Sequence, residues 1–207
     1  MRKNKSLLLI MLAFALLLGG AYILYYKLSQ EVTPDQLAVR NGSSPQKETV
    51  GGSGESEEES PGEPEAEKLP LPDFTVYDRE NNAVHLSDFV GKPVVLNFWA
   101  SWCGPCQSEM PDFDEAYAEL GEDIHFLMVN MTTSSRETFE KATVFLDGQG
   151  FSFPVLFDLD GDAATTYGIY SLPTTLFIDA QGYGVAQATG AIDRATLNKG
   201  ISMITEQ

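Results

Sequence analysis

The chain has 207 residues, of which 43% are hydrophobic, and a formal net charge of −17. That length is enough for one globular domain with a full core. Because acidic residues outnumber basic ones along everything that follows the first 28 residues, binding to phosphate groups is disfavoured and nucleic acid is not expected as a partner.

Residues 1–28 are predicted to be a transmembrane signal-anchor. This segment carries a charge of +4, and its residues 6–26 include no charged side chain, whereas a helix needs about 20 apolar residues to cross a bilayer. The basic residues come first, so the positive-inside rule places the N-terminus in the cytoplasm. The chain that follows the predicted membrane-spanning segment is then expected outside the cell membrane. A cleaved signal peptide stays open as an alternative, with the small residues 19–21 as the cleavage site.

Residues 29–68 are predicted to be a disordered linker. They are rich in Gly, Ser, Pro and Glu, contain no aromatic residue, and carry a charge of −7 from ten acidic and three basic side chains. Such a composition cannot bury enough apolar surface to offset the entropy that is lost on ordering. The segment is therefore expected to be a self-repelling tether that holds the next domain away from the membrane.

Residues 69–207 are predicted to form one α/β domain. It opens with two short strands joined by a turn at residues 80–82. The continuous apolar run at residues 93–98 is typical of a strand that is buried on both faces. Apolar residues at helical spacing then predict a helix over residues 104–120.

Strands continue to alternate with helices in the second half of this domain. Residues 124–131 predict a strand, and Ser134 with Glu137 forms a capping-box pattern that would open a helix ending near Leu146. The remaining predicted elements are a strand at 153–158, a short helix at 162–169, a hairpin turning at 181–182, and a last helix capped by Asp193 that ends near Ile204. The alternation predicts a central mixed, mostly parallel sheet with helices on both faces, in which residues 134–158 are an added strand–helix unit.

The chain's two cysteines, Cys103 and Cys106, allow three interpretations. A structural disulfide would stabilise the fold only weakly, because closing a loop over two intervening residues removes little entropy from the unfolded chain. The cysteines could also be two of the four ligands of a zinc site. The only histidines that could complete it, His85 and His125, are 40 residues apart in predicted strands, so no metal is expected.

Redox chemistry is the interpretation that the position of the pair favours. Cys103 would lie at the N-terminus of the predicted helix, where unpaired N–H groups and the helix dipole stabilise a thiolate. Cys103 is therefore the expected nucleophile. Cys106, one turn further on and more buried, is the expected resolving thiol.

The stretch "FWASWCGPC", residues 98–106, closely resembles the active-site motif of the thioredoxin superfamily. "SLPTT", at residues 171–175, looks like the loop whose cis-proline packs beside the sulfurs in that superfamily, a role that the resemblance gives to Pro173. The domain also resembles the TlpA/ResA group of membrane-anchored, extracytoplasmic thiol–disulfide oxidoreductases. The resemblance lies in the predicted anchor, in the added unit and in the opening stretch "LPDFTVYDRENNAVHLSDFVGKPVVLNFW". The resemblance implies a thioredoxin-like fold with an N-terminal hairpin.

The resemblance also implies roles for residues around the cysteines. Glu109, three residues beyond the second cysteine, is expected to assist proton transfer, while Trp102, Leu172 and Pro173 are expected to bind the substrate. No cofactor is implied other than the redox-active disulfide itself.

Two positions depart from the pattern of the relatives. Asn97 stands where ordinary thioredoxins have a buried aspartate, which leaves Glu109 as the replacement proton acceptor. The dipeptide between the cysteines is Gly-Pro, as in thioredoxin, instead of the Glu-Pro common among the cytochrome-maturation members.

These features together predict an enzyme whose dithiol form reduces disulfides of exported proteins. The resemblance implies apocytochrome c as the client, with a sporulation or envelope protein as the alternative client. It also implies a membrane thiol-transfer protein of the CcdA/DsbD type as the electron donor. Three alternatives stay open. They are a thiol oxidase or isomerase of the envelope, a non-catalytic adaptor that binds peptides between Trp102 and Pro173, and a peroxidase. The opening of the domain resembles that of peroxiredoxins, but the Thr-x-x-Cys pattern of their peroxidatic cysteine is absent.

Overall fold

A computed structural model of the chain describes residues 37–39, 70–133 and 136–206. The predicted signal-anchor at residues 1–28 and most of the predicted linker at residues 29–68 lie outside these ranges, so both stay predictions. Within the described ranges, no helix is both long and apolar enough to cross a membrane.

The described strands form one eight-stranded sheet with helices on both faces. In chain order the strands are β1 (Leu37–Val39), β2 (Thr75–Tyr77), β3 (Ala83–His85), β4 (Val94–Trp99), β5 (His125–Asn130), β6 (Val155–Phe157), β7 (Thr174–Ile178) and β8 (Gly184–Thr189). The helices are a 3-10 turn (Leu86–Phe89), α1 (Gly104–Leu120), α2 (Phe139–Gln149), α3 (Asp162–Tyr167) and α4 (Arg194–Thr205).

The order of strands across the sheet is β1-β8-β7-β4-β5-β6-β2-β3. Only the pairs β4–β5 and β5–β6 are parallel, and the other five pairs between described strands are antiparallel. The prediction of a mixed sheet is confirmed, but the prediction that it is mostly parallel is wrong. The hairpins β2–β3 and β7–β8 flank the three parallel strands, and each joins them through a further antiparallel pair, β2 with β6 and β7 with β4.

Strand β4 is the central strand, and all six of its residues are buried, as the apolar run predicts. Its side chains alternate between two cores. Val95 and Trp99 face the core that contains side chains of α1, α2 and α4. Leu96 and Phe98 face the core that contains Ala163 of α3.

One stretch of the predicted disordered linker is ordered in the structure. Leu37 to Val39 pair antiparallel with Ala188 to Ala186 on the outer edge of β8. Leu37 is buried in the same core as α1. The prediction of disorder is therefore wrong for these three residues, because a free strand edge and an apolar side chain can order a short segment of an otherwise polar stretch.

Two predicted boundaries also differ from the structure. The strand predicted over "AVHLSDF" ends at His85, and its last four residues form the 3-10 turn. Helix α2 begins at Phe139, where Thr138 Oγ1 accepts a hydrogen bond from the Lys141 N–H at 3.3 Å. The capping box is therefore wrong, since Glu137 precedes the cap and turns inward.

Candidate active site

The two cysteines lie where central strand β4 gives way to helix α1. The strand ends at Trp99, a turn follows, and Cys103 is the N-cap residue of the helix. Cys103 and Cys106 are joined in a disulfide. The Sγ of Cys103 accepts a hydrogen bond from the Cys106 N–H at 3.2 Å. The same N–H is placed to stabilise a Cys103 thiolate when the disulfide is reduced.

The two sulfurs differ in their access to solvent. Cys103 retains 4% of its surface, whereas Cys106 retains none. The neighbouring Trp102 is 41% exposed. An incoming thiol or disulfide can therefore reach only the Cys103 side of the pair, as expected for a nucleophile and a resolving thiol.

The loop before β7 lies at the same end of the sheet as the disulfide. Thr174 pairs with Phe98 of β4, so the preceding Pro173 lies level with the turn that leads to Cys103. The Leu172–Pro173 peptide bond is cis, which confirms the conformation expected for this proline. Leu172 packs partly buried against the core that contains both cysteines.

Glu109 lies on α1 three residues after Cys106, and its carboxyl group is buried with 2% exposure. Its Oε1 accepts a hydrogen bond from Asn97 Nδ2, and its Oε2 accepts one from the Ile192 N–H, both at 2.9 Å. Burial raises the pKa of Glu109 from 4.5 to about 7, although both hydrogen bonds act in the opposite direction. A carboxyl group with this pKa can take up and release a proton near neutral pH.

Asn97 occupies the centre of this buried polar group. Its Nδ2 also donates to Thr175 Oγ1 at 3.0 Å, across the β4–β7 pair. Its Oδ1 has no hydrogen-bond partner among the described residues. Asn97 thus connects the Glu109 carboxyl group to the strand that follows the cis-proline.

Glu137 is a buried residue of this region that the sequence analysis assigned wrongly. Its carboxylate accepts hydrogen bonds of 2.7 Å from the Ser101 N–H, from the Ser101 hydroxyl and from Asn130 Nδ2. Glu137 therefore holds the turn that precedes Cys103 against the end of β5. One signal could have indicated this position. Glu137 follows β5, which runs parallel to β4, and parallel strands end at the same edge of a sheet, so Glu137 can lie near the turn after β4.

Comparison with known proteins gives matches that cover this site. Residues 68–184 match the AhpC/TSA family. The thiol-disulfide oxidoreductase ResA of Bacillus thuringiensis subsp. konkukian is 36% identical over 137 residues, which are 65% of this chain and 76% of that protein. ResA of Bacillus subtilis is 31% identical over 134 residues, which are 64% and 73% of the two chains.

Solved structures with the same fold also match the domain. The pneumococcal exposed lipoprotein thioredoxin of Streptococcus pneumoniae superposes with a TM-score of 0.56 at 34% identity, over 62% of this chain and 96% of that one. A DsbF homologue from Corynebacterium diphtheriae gives a TM-score of 0.58 at 28% identity, over 66% and 87%. The redox group of such thioredoxin-like proteins is a disulfide, here Cys103–Cys106. The chain therefore belongs to the AhpC/TSA family, as a thiol–disulfide oxidoreductase of the ResA type with a thioredoxin-like fold.

Proposed function

We propose that the dithiol form of this oxidoreductase reduces disulfides of exported proteins outside the cytoplasm. The observation that carries the proposal is the position of Glu109. A buried carboxyl group with a pKa of about 7 lies one helical turn beyond the buried thiol of Cys106. A reductase must remove the proton from its resolving thiol before that thiol can attack, and in this proposal Glu109 accepts it.

The reaction begins with Cys103, the more accessible of the two cysteines, in the reduced enzyme. The Cys103 thiolate attacks one sulfur of the client disulfide, forms a mixed disulfide, and releases the other client sulfur as a thiolate that takes a proton from water. Cys106 then gives its proton to the Glu109 carboxylate. The Cys106 thiolate attacks Cys103 Sγ, forms the Cys103–Cys106 disulfide and releases the second client thiolate. The client has then gained two electrons and the enzyme has lost two.

Trp102, Leu172 and Pro173 are the proposed surface for the client in the mixed disulfide. Trp102 is exposed beside Cys103, and the Leu172–Pro173 peptide lies at the same end of the sheet. Because these groups and Cys103 lie at one end of the sheet, we expect a client chain bonded to Cys103 to contact them.

The proposed setting and partners follow from the segment before the domain and from the relatives. Residues 1–28 would anchor the chain in the cell membrane, and one structural relative is described as an exposed lipoprotein. A membrane thiol-transfer protein of the CcdA/DsbD type would return two electrons to the oxidised pair. Apocytochrome c is the proposed client, because its haem-attachment cysteines must be reduced before haem is attached.

Reduction of insulin by dithiothreitol tests whether the thiols carry the activity. We expect the full-length chain to accelerate this reaction and a Cys103→Ser variant to lose the acceleration. A variant as active as the wild type would contradict the proposal.

Trapping in the cell of origin tests the class of client. A Cys106→Ala variant cannot resolve the mixed disulfide, so we expect exported proteins to accumulate on Cys103. The matched control is the double variant Cys103→Ala, Cys106→Ala, which can form no such bond. Capture of the membrane donor alone, or of nothing, would contradict a role in the reduction of exported clients.

A further inference from the structure

Arg136 lies on the ring of Trp102, the exposed residue that precedes Cys103. Its guanidinium carbon is 3.7 Å from the centre of the Trp102 ring, a cation–π contact. Trp102 immediately precedes Cys103 and is 41% exposed. A positive charge is therefore located beside the surface on which a client disulfide must dock.

The backbone of Arg136 is held by two residues that follow it in the chain, Glu137 and Lys141. The next residue, Glu137, is fully buried and bound to the N–H and the hydroxyl of Ser101. Lys141 Nζ donates a hydrogen bond to the Arg136 carbonyl oxygen at 3.0 Å. These contacts fix the position of Arg136 and bring a second cation next to it.

The charge of Arg136 stands out against an acidic domain. Residues 69–207 contain twenty acidic and six basic side chains. Two other arginines are paired with carboxylates: Arg79 with Asp147, and Arg194 with Glu119. Across residues 37–39, 70–133 and 136–206, no carboxylate lies within salt-bridge distance of the Arg136 guanidinium.

We infer that the surface formed by Trp102, Arg136 and Lys141, the basic-aromatic patch, selects client segments that carry Asp or Glu next to their disulfide. The inference rests on the proposed function and specifies its substrate class. A carboxylate beside the client sulfur would give the Arg136 guanidinium an ion-pair partner while the client packs on the free part of the Trp102 ring. Because the rest of the domain repels acidic chains, the selection depends on residues within a few ångströms of the disulfide.

Two disulfide-bonded peptides of equal length test the inference, one with Glu on both sides of its cysteine and one with Gln there. The measured quantity is the second-order rate constant for oxidation of the prereduced full-length chain by each peptide. We expect the Glu peptide to react about two- to fivefold faster in low salt, the range of exposed ion pairs. The ratio should approach one in 1 M salt, where the screening length is about 3 Å.

Substitutions assign the preference to the patch. Arg136→Gln should bring the ratio of the two rate constants close to one, Arg136→Glu should invert it, and Arg136→Lys should retain most of it. Lys141→Gln, which leaves Arg136 unchanged, should reduce the ratio partially. Arg79→Gln is the matched control, because it removes a cation from a distant exposed turn and should keep the wild-type ratio.

Two results would overturn the inference: equal rate constants for the two peptides with the wild-type chain, or a preference that survives both Arg136→Gln and Lys141→Gln. If the wild-type chain reduces neither peptide, the proposed reductase function fails instead. Circular dichroism of each variant confirms that a lost preference is not due to a lost fold.

Discussion

Asn97 on central strand β4 and Glu109 on helix α1 are joined by a buried hydrogen bond, 2.9 Å from Nδ2 to Oε1. This bond and the one from the Ile192 N–H favour the charged form of the carboxyl group, whereas burial favours the neutral form. Burial has the larger effect, so the pKa of Glu109 is about 7. The balance leaves both protonation states accessible near neutral pH, as a proton acceptor for Cys106 requires.

Glu109→Gln should slow the resolving step and remove the rise in its rate near pH 7, because the Cys106 proton must then pass to water or hydroxide. In the wild-type chain, the rate at which the mixed disulfide is resolved should rise as the pH passes through about 7, because only the carboxylate accepts the Cys106 proton. Loss of a general base typically costs about 100-fold or more. Stopped-flow measurement of the second step between pH 5.5 and 8.5 checks this.

Glu115→Gln is the control for that measurement, because it removes an exposed carboxylate from the same helix. It should keep the wild-type rate and profile. A Glu109→Gln variant with the wild-type rise through pH 7 would show that the proton goes elsewhere.

The same carboxyl group should make the stability of the oxidised domain depend on pH. Its pKa in the folded chain, about 7, lies above the ordinary value of 4.5, so the folded state binds this proton more tightly than the unfolded state does. The resulting stabilisation is complete below pH 4.5 and is lost as the pH rises through 7. The shift corresponds to about 3 kcal/mol.

Urea unfolding at pH 4.5 and pH 8 measures this contribution. Other titrating groups are common to the wild-type chain and to Glu109→Gln, so the comparison isolates Glu109. We expect the free energy of unfolding to fall further with pH in the wild type than in the variant. Equal falls would mean that the pKa of Glu109 is close to 4.5 in the folded chain.

Glu137→Ala should destabilise the domain more than Glu137→Gln. The alanine variant leaves the buried Asn130 Nδ2 and the Ser101 N–H without their acceptor, at a cost of about 2 to 3 kcal/mol. Glutamine can still accept at one oxygen and donate to the Ser101 hydroxyl, so it should lose less than half of that. Urea unfolding of both variants gives the two values, and similar small losses would argue against an anchoring role.

Reduction of the disulfide should leave the domain folded. A bridge between residues three apart in sequence closes so short a loop that it contributes about 2 kcal/mol at most. We expect the dithiol form to keep the far-ultraviolet circular dichroism of the disulfide form and to unfold at slightly lower urea. Unfolding on reduction alone would assign a structural role to Cys103 and Cys106.

The strand, turn and helix that carry the cysteines could be predicted from sequence because their signals are local. The apolar run of β4 and the Gly-Pro pair that opens α1 are contiguous with Cys103, so each boundary follows from its neighbours. The cap of α4 is equally local, since Asp193 Oδ1 accepts from the Thr196 N–H three residues on. Such contacts do not depend on how the rest of the chain folds.

The features that were predicted wrongly depend on contacts between distant parts of the chain. Glu137 lies 36 residues from Ser101, so its spacing from Ser134 indicated a helix cap rather than an anchor for the active-site turn. Leu37 belongs to a polar segment, and its burial requires the edge of β8 at Ala188. Neither partner could be identified from the periodicity of the segment in question.

The central claim is that the Cys103–Cys106 pair acts as a reductant of disulfides. The reduction potential of this pair tests that claim most directly. Equilibration of the full-length chain with dithiothreitol buffers, read out by thiol alkylation, gives the value. The account predicts a potential near that of thioredoxin, about −270 mV. A value near about −120 mV, in the range of the oxidant DsbA, would contradict it and indicate a thiol oxidase.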